Sequence, residues 1–303
     1  MPHIPVLLDA VLEYLLPAAR LIDGTLGAGG HSRALLEHGA GAVLGLDLDP
    51  SALEIAQAAL APFGTRADIA HASYATMRAE AARLGWDHVE AILLDLGISS
   101  MQIDRPERGF AFLRDGPLDM RFNPQDDGLT AADLVNHSDL ADLARIFFRY
   151  GEEPQGRRFA RAIVESRPLH TTRELAEVIE RVSPRRKGAT IHPATRIFQA
   201  LRIAVNDELG VVERALPEAI DLLAPGGRLA VISFHSLEDR IVKQTFKRAS
   251  TDCLCPPKTP VCICGHRAEV RLLTSKPIVA GDEEISRNPR SRSAKLRIVE
   301  KCV

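Results

Sequence analysis

The stretch Leu21-Ile22-Asp23-Gly24-Thr25-Leu26-Gly27-Ala28-Gly29-Gly30-His31-Ser32 decides the fold that this sequence predicts. It is an apolar run that ends in a carboxylate and is followed by four glycines and a helical pattern. Glycine lets the backbone adopt positive φ and approach a ligand closely, and a helix start offers free N–H donors. The stretch predicts a strand, a ligand-binding loop and a helix, with an ordinary tight turn as the alternative.

A second carboxylate indicates what the loop binds. Leu44-Gly45-Leu46-Asp47 ends the next apolar run, at the position from which nucleotide-binding folds hold ribose hydroxyls. We therefore expect a nucleoside-containing cofactor. The dinucleotide pattern G-x-G-x-x-G would require glycine where Ser32 stands, which disfavours NAD without excluding it.

Apolar runs alternate with helical patterns over the first hundred residues. Predicted strands are 20–23, 42–47, 69–72 and 89–95, and predicted helices between them are 32–37 and 51–61. This alternation is typical of a parallel sheet covered on both faces. The predicted fold class is α/β, a Rossmann-like, doubly wound and mostly parallel sheet.

The pattern changes to helices in the middle of the chain. Thr171 and Glu174 have capping-box spacing ahead of one helix, and a helical apolar face begins at Leu140. Strands resume at 228–234 and 294–300. We expect a discontinuous α/β domain formed by residues 1–105 and 201–303, interrupted by a helical insertion at 106–200.

Composition excludes several classes of protein. The chain has 303 residues, 46% of them hydrophobic, and a net charge of -2, which excludes a uniformly basic coat for nucleic acid but not local patches. The N-terminus lacks a basic leader pattern, and no run approaches the roughly 18 apolar residues that span a bilayer. We expect a soluble, cytoplasmic protein with no membrane partner.

Four of the five cysteines are clustered as Cys253-x-Cys255 and Cys262-x-Cys264, with His266 nearby. Four thiolates would suit zinc, but this spacing is tighter than the usual C-x-x-C. The alternative is a proline-rich surface loop with reduced thiols. We assign no metal on the sequence alone, and we predict no disulfide framework.

Polar residues follow the fourth predicted strand. In open α/β sheets ligands bind beyond the carboxyl ends of the strands, so Asp95, Ser99 and Gln102 are candidates to line the cofactor or the target. The alternative is that Asp95 only caps the strand end.

Asp23 followed by G-x-G resembles motif I of S-adenosylmethionine-dependent methyltransferases, and further blocks occur in order along the chain. They are His3-Ile4-Pro5-Val6-Leu7-Leu8, Leu94-Asp95-Leu96-Gly97-Ile98-Ser99-Ser100, Arg108-Gly109-Phe110-Ala111-Phe112, Asp115-Gly116-Pro117-Leu118-Asp119-Met120-Arg121, His192-Pro193-Ala194-Thr195-Arg196, Ser233-Phe234-His235-Ser236-Leu237-Glu238-Asp239-Arg240 and Asn288-Pro289-Arg290-Ser291-Arg292-Ser293. Together they resemble the bacterial ribosomal RNA small-subunit methyltransferase H family.

The resemblance implies methyl transfer from S-adenosylmethionine to N4 of a cytidine in the decoding region of 16S rRNA, with that RNA in a small-subunit particle as partner and no DNA. It also implies a helical domain inserted in a Rossmann-like one, which we expect to recognise RNA. The implied cofactor contacts are Gly29, Gly30, His31, Asp47, Tyr74, Asp95 and Gln102. Tyr74 stands where phenylalanine is common, and Met101 where proline is frequent.

Asp95, Ser99 and His235 are the predicted catalytic residues. Asp95 can accept a hydrogen bond from the cytosine amine, while Asp95-Leu96-Gly97-Ile98 lacks the prolines and aromatic ring of the D-P-P-Y motif of DNA amino-methyltransferases. A stacking ring would then come from Phe110, Phe112 or Phe234. His235 could relay a proton and Arg240 bind phosphate, unless Ser236 and Asp239 merely cap a helix.

Basic clusters are the candidate RNA contacts, although such runs are often only solvated surface. The helical insertion also has a polar stripe that could bind RNA or pack against the main domain. The clusters and the stripe are Arg185-Arg186-Lys187-Gly188 with 192–196; Arg287, Arg290, Arg292, Lys295 and Arg297; and Arg196, Gln199 and Asn206. Two alternatives to a methyltransferase stay open, a non-catalytic RNA-binding assembly protein that retains the fold and an NAD-linked oxidoreductase.

Overall fold

The computed structural model describes residues 5–183, 192–256, 259 and 261–302. The chain forms two compact units, a sheet unit of Met1–Gly97 with Leu209–Val303 and a helical unit of Ile98–Glu208. The insertion predicted at 106–200 lies inside the helical unit, which begins at residue 98 and ends at residue 208. No helix among the described residues is both long and apolar enough to cross a membrane.

The strands form one seven-stranded sheet. They are β1 Arg20–Asp23, β2 Ala42–Asp47, β3 Ala67–His71, β4 Val89–Asp95, β5 Leu223–Ser233, β6 Val270–Leu272 and β7 Lys295–Lys301. Their order is β3-β2-β1-β4-β5-β7-β6. The first five strands pair in parallel, and β7 runs antiparallel to both of its neighbours.

The described helices are spread over both units. They are α1 Leu8–Leu15, α2 Gly30–Glu37, α3 Pro50–Leu60, α4 Met77–Arg83, α5 Ser100–Asp104, α6 Ala131–His137, α7 Leu140–Gly151, α8 Gly156–Glu165, α9 Thr172–Val182, α10 Ala194–Asn206, α11 Glu208–Leu222, α12 Ser236–Ala249 and α13 Asp282–Arg287.

Alternate residues of the strands feed two separate cores, one on each face of the sheet. Ile22 and Leu94 pack with residues of α4, α11 and α12, whereas Leu21 and Leu93 pack with residues of α1, α2 and α3. Successive side chains of a strand point to opposite faces, so a strand that is apolar throughout needs helices on both sides. The predicted doubly wound α/β class is confirmed. The short strand β6 was not predicted, because only Val270 of its three residues is buried.

The helical unit has a core of its own, built around Phe147, Phe159 and Leu201. The predicted capping box at the start of α9 is present, since the Thr171 hydroxyl accepts from Glu174 N and the Glu174 carboxylate accepts from Thr171 N. Apolar spacing and cap chemistry thus decide the local structure here.

Candidate active site

Three carboxylates end three neighbouring parallel strands of the sheet. Asp23 ends β1, Asp47 ends β2 and Asp95 ends β4. Asp23 pairs in register with Gly45 on one side and Leu93 on the other, so all three strands end at the same edge. This is the edge at which open α/β sheets bind ligands.

Asp23 and Ser32 tie the glycine loop to the start of α2. Ser32 Oγ donates to Asp23 Oδ2 at 2.7 Å, and Thr25 N donates to Asp23 Oδ1 at 3.2 Å. Burial raises the pKa of Asp23, and the nearby His31 and the Ser32 hydroxyl partly oppose that rise. The position where dinucleotide-binding folds require glycine therefore carries a hydroxyl that holds a buried carboxylate.

Asp47 accepts a backbone hydrogen bond on each carboxylate oxygen. Gly27 N donates to Oδ2 at 2.7 Å, and Asp49 N donates to Oδ1 at 2.9 Å. Gly27 has φ 53°, the left-handed conformation that favours glycine, and a Cβ built there would meet nothing within 4 Å. A carboxylate has about four acceptor positions, so Asp47 keeps capacity for two ribose hydroxyls.

Tyr74 lies against the glycine loop, and its contact with the cofactor stays a prediction. A Cβ at Gly24 would lie 2.8 Å from Tyr74 Cβ and 2.6 Å from Leu94 Cδ2. Glycine at position 24 is what lets β4 and the turn at Tyr74 approach β1 so closely.

Asp95 has an acceptor atom that the protein leaves unused. Its backbone N donates to Thr25 Oγ1 at 2.6 Å, whereas its Oδ1 is buried without a hydrogen-bond partner among the described residues. Burial raises the pKa of Asp95 to about 6, with Asp23 and Glu238 adding to the rise and His31 opposing it. A buried, unpartnered acid with a raised pKa is typical of a functional site.

His31 connects Asp95 to the N-terminal segment. Its Nε2 lies 2.9 Å from Val6 O, so Nε2 carries the proton and donates. Its Nδ1 lies 3.8 Å from Asp95 Oδ2. No described side chain caps α2 at Gly29, which leaves the first backbone N–H groups of that helix as donors beside this ring.

Ser99 and Gln102 form the N-terminal cap of α5 in the helical unit. Ser99 Oγ accepts from Gln102 N at 3.2 Å, and Gln102 Oε1 accepts from Ser99 N at 3.1 Å. Both side chains thus have a local structural role. Their predicted roles in catalysis and cofactor binding stay predictions.

The helix cap after β5 differs from the one considered from the sequence. The capping box is formed by His235 and Glu238, because α12 begins at Ser236 and not one residue later. Glu238 Oε2 accepts from Phe234 N at 2.9 Å, and His235 Nδ1 accepts from Glu238 N at 3.4 Å. A cap formed by Ser236 and Asp239 is therefore wrong.

His235 keeps one nitrogen available for chemistry. Nε2 lies 3.1 Å from Glu238 Oε1 but is not aligned for a hydrogen bond, and it is buried without another partner among the described residues. Proton relay by His235 stays a prediction.

Asp239 binds two residues that we had assigned to an RNA-binding patch. Arg297 Nε lies 2.7 Å and Lys295 Nζ 3.4 Å from its carboxylate. Arg297 is buried, so its assignment to an RNA surface is wrong: β7 turns its guanidinium towards α12 instead of towards solvent. Arg287 pairs with Glu283 one helical turn earlier.

The polar stripe of α10 serves the helical unit itself. Asn206 Nδ2 donates to Met120 O at 2.7 Å and its Oδ1 accepts from Phe122 N at 2.8 Å. Gln199 Nε2 donates to Tyr150 O at 3.3 Å. The Gln199 and Asn206 amides therefore satisfy backbone groups of nearby loops. Arg196 of the same stripe is exposed, and binding of RNA by this residue stays a prediction.

Two of the three candidate stacking rings are packed inside the helical unit. The Phe112 ring lies 5.0 Å from Phe198 and 4.6 Å from His192, and Phe110 stacks on Phe122 at 5.8 Å. Phe234 belongs to the sheet unit and lies 3.6 Å from where a Cβ at Gly97 would be. The blocks at 3–4 and 185–188 lie outside the described residues.

A basic face on α8 was missed in the sequence. Arg157, Arg158 and Arg161 are exposed, while Phe159 and Ile163 of the same helix are buried. Three arginines within five residues, at helical spacing around buried apolar positions, were the signal that could have identified this face.

The fold and this sheet edge are typical of α/β enzymes that bind a nucleoside-containing cofactor. A family model described as the MraW methylase family matches residues 1–302, and the chain belongs to that family. It is 51% identical over 306 residues to a Ribosomal RNA small subunit methyltransferase H from Dehalococcoides mccartyi, covering 100% of this chain and 87% of the relative. A protein of the same name from Solidesulfovibrio magneticus is 53% identical, and the match covers 99% of this chain and 95% of that relative.

Similarity to solved structures is much weaker. A putative methyltransferase from Streptococcus mutans, described as in complex with SAH, matches with 12% identity and a TM-score of 0.45, covering 99% of each chain. A similarity at this level supports no conclusion about this chain.

Proposed function

We propose that this protein transfers the methyl group of S-adenosylmethionine to N4 of a cytidine in the decoding region of 16S rRNA, within a small-subunit particle. The observation that carries the proposal is Asp95, a carboxylate with a buried and unpartnered oxygen at the strand edge beside the glycine loop. Membership of a methylase family and relatives named as small-subunit rRNA methyltransferases support the reaction and the class of RNA.

The residues at the sheet edge fit this cofactor. Asp47 has acceptor capacity left for ribose hydroxyls, and Tyr74 beside Gly24 offers a ring for the adenine. Gly29, with φ 78°, precedes a helix that no described side chain caps, so the backbone of Gly30 and His31 supplies donors. Gly29 N itself donates to Leu26 O at 2.8 Å, and Gly29 contributes a close approach of the backbone. Asp95 and Gln102 are the remaining residues that we propose to contact the cofactor.

S-adenosylmethionine, when bound, supplies an electrophilic methyl group. The nitrogen lone pair of a cytosine amine is delocalised into the ring, so the protein must orient that amine and remove a proton as the N–C bond forms. Asp95 Oδ1 would accept the amine N–H and then its proton.

The helical unit is the proposed RNA-recognition domain. The exposed Arg157, Arg158 and Arg161 of α8 support this role, because a planar guanidinium suits phosphate. Bacterial ribosomal RNA is a cytoplasmic substrate, so the proposal also places the protein in the cytoplasm.

The test is transfer of a labelled methyl group from S-adenosylmethionine to small-subunit particles, followed by nucleoside analysis of the RNA. We expect N4-methylcytidine at a single site in the decoding region. Label on another atom or elsewhere in the RNA would overturn the assignment. RNA binding without any product, unchanged in Asp95→Ala, would identify a non-catalytic assembly protein instead.

A further inference from the structure

We infer that Cys253, Cys255, Cys262 and Cys264 form a structural zinc site in the loop between α12 and β6. The four sulfur atoms all lie within 4.8 Å of one another. The inference concerns a part of the sheet unit that the proposed methyl transfer does not use. It does not depend on that proposal.

The sulfur spacing matches a single tetrahedral metal. Cys253 and Cys262 Sγ are 3.4 Å apart, Cys262 and Cys264 3.6 Å, and Cys264 and Cys253 3.8 Å. Four sulfurs at about 2.3 Å from one zinc ion would be separated by about 3.8 Å in a tetrahedron. A disulfide would require about 2.05 Å, so no pair is bonded.

Backbone amides support thiolates in a symmetrical arrangement. Each C-x-C segment is one arm, and the middle residue of each arm donates its N–H to the last cysteine of the other. Leu254 N lies 3.3 Å from Cys264 Sγ, and Ile263 N lies 3.4 Å from Cys255 Sγ. Hydrogen bonds to thiolates orient metal ligands and stabilise their negative charge.

Hydrophobic burial does not explain why the four thiols meet. Cys253, Cys262 and Cys264 are exposed, and so are Leu254 and Ile263, the latter at 84%. With the apolar side chains Leu254, Val261 and Ile263 in solvent, the described residues of this segment form no core that could hold its two arms together. A bound metal supplies that missing core in small, loop-rich segments.

The base of the loop is closed by the protein itself. His266 Nδ1 lies 2.8 Å from Thr251 O, Ala268 N donates to Asp252 Oδ1 at 3.3 Å, and Glu269 N donates to Ala249 O at 2.8 Å. The two arms therefore leave a paired stem side by side. His266 is not among the described ligand atoms that lie within 4.8 Å of one another here, so the ligand set is the four sulfurs.

Two properties of the site favour zinc over other metals: all four ligands are sulfur, and they are close enough together to bind a single ion. Four thiolates in a tetrahedron suit zinc or iron, and a cluster with several iron atoms would need sulfurs spread over more than one metal position. From the sequence alone we assigned no metal, because the C-x-C spacing is tight. The structure favours a metal, since each arm supplies two of the four sulfurs that meet at one place.

The experiment uses the full chain, purified without chelator and supplied with one equivalent of zinc under reducing conditions. We expect about one zinc per chain by elemental analysis, and replacement by cobalt should give the absorption bands of a tetrahedral four-thiolate site. One fast-reacting thiol, Cys302, should become five after a chelator is added.

The double variant Cys253→Ser/Cys262→Ser removes one ligand from each arm and should retain almost no zinc. The matched control is Cys302→Ser, the exposed cysteine outside the cluster, which should keep the full zinc content. If the double variant does not fold, the cobalt spectrum and thiol count of the wild-type chain decide the question. Zinc-free protein with five fast thiols, a disulfide, or iron in place of zinc would overturn the proposal.

Discussion

At the scale of single residues, Asp95 carries the chemistry that we propose. Its Oδ1 is buried without a partner, and burial raises its pKa to about 6. Above that pH the carboxylate is ionised, and its Oδ1 is an acceptor that no other described group satisfies. The proposed chemistry follows from this buried carboxylate with an unpartnered oxygen and a raised pKa. Two further consequences follow from it, and each can be measured separately.

The first consequence is a pH dependence of methyl transfer. Only the ionised Asp95 accepts the amine proton, so single-turnover rates should rise as the pH passes about 6 and level off above it. Asp95→Asn should lower the rate by about 10²-fold or more while S-adenosylmethionine still binds. The exposed Asp87→Asn is the control. An unchanged pH profile in Asp95→Asn would contradict the role.

The second consequence is a gain in stability when the charge is removed. Because the pKa of Asp95 is higher in the folded chain than its ordinary 3.8, its contribution to stability is full below pH 4 and is lost as the pH rises through about 6. Since its side chain is 19% exposed, we expect Asp95→Asn to stabilise the chain by about 2 kcal/mol at pH 7.

Urea unfolding at pH 7 and at pH 4 measures this effect. The gain should be largest at pH 7 and small at pH 4, and Asp87→Asn should change neither value. An Asp95→Asn chain that is less stable than wild type at pH 7 would show that the folded chain satisfies the Asp95 charge after all.

At the scale of elements, α12 is held at its start by its cap and along its side by an ion pair to β7. Burial pushes the pKa of Asp239 upward, but the hydrogen bond and charge of Arg297 more than offset it, so the pKa lies below its ordinary value. A carboxylate with a lowered pKa stabilises the fold above its ordinary pKa and loses that effect as the pH falls. The helix is therefore attached to the sheet through a charge buried on β7.

Replacing Asp239 should leave Arg297 buried without its carboxylate. We expect Asp239→Asn to destabilise the sheet unit by about 2–4 kcal/mol at pH 7, measured by urea unfolding. The control is Glu37→Gln, which removes an exposed pair with Arg33 on α2 and should change stability by less than about 0.5 kcal/mol. Equal effects of the two variants would mean that the Asp239 pair is no stronger than a surface one.

At the scale of the whole molecule, the strand-end carboxylates and the proposed RNA contacts of α8 belong to two units with separate cores. The sheet unit holds Asp23, Asp47 and Asp95, and the helical unit presents the arginines of α8. A chain of net charge -2 must meet a polyanion through such a local surface. Loss of that surface should weaken RNA binding without changing the cofactor site.

The variant Arg157→Ala/Arg161→Ala tests this division. We expect weaker binding to small-subunit RNA. The plot of the logarithm of the binding constant against the logarithm of the salt concentration should be less steep, by the equivalent of about one to two phosphate contacts, because each contact releases a counterion. Cofactor affinity should stay at the wild-type value. Arg83→Gln, an exposed arginine of the sheet unit, is the control, and an identical loss there would show only a general charge effect.

Local patterns were enough to predict much of the fold and part of the candidate site. The bounds of β1, β2 and β4, the α9 cap and the strand-end carboxylates follow from chain-neighbour chemistry, namely apolar runs, glycines and cap spacing. The resemblance of long ordered blocks supplied the family, which the match over residues 1–302 confirms. Short β6 was not predicted because only one of its three residues is buried, whereas the basic face of α8 has a local pattern that we did not use.

Sequence patterns were sufficient to predict the fold class, the family and the glycine loop with its two carboxylates, because each pattern consists of residues close together in the chain. Which charges are used internally depends on contacts between residues that are far apart in the chain. Arg297 pairs with Asp239 58 residues away, and Cys253 meets Cys262 across a loop. The role of a charge or a thiol depends on its neighbours in space, and burial shifts its pKa. The same residue types therefore take different roles after folding: a proposed proton acceptor at Asp95, a structural ion pair at Asp239, and proposed metal ligands at the four cysteines.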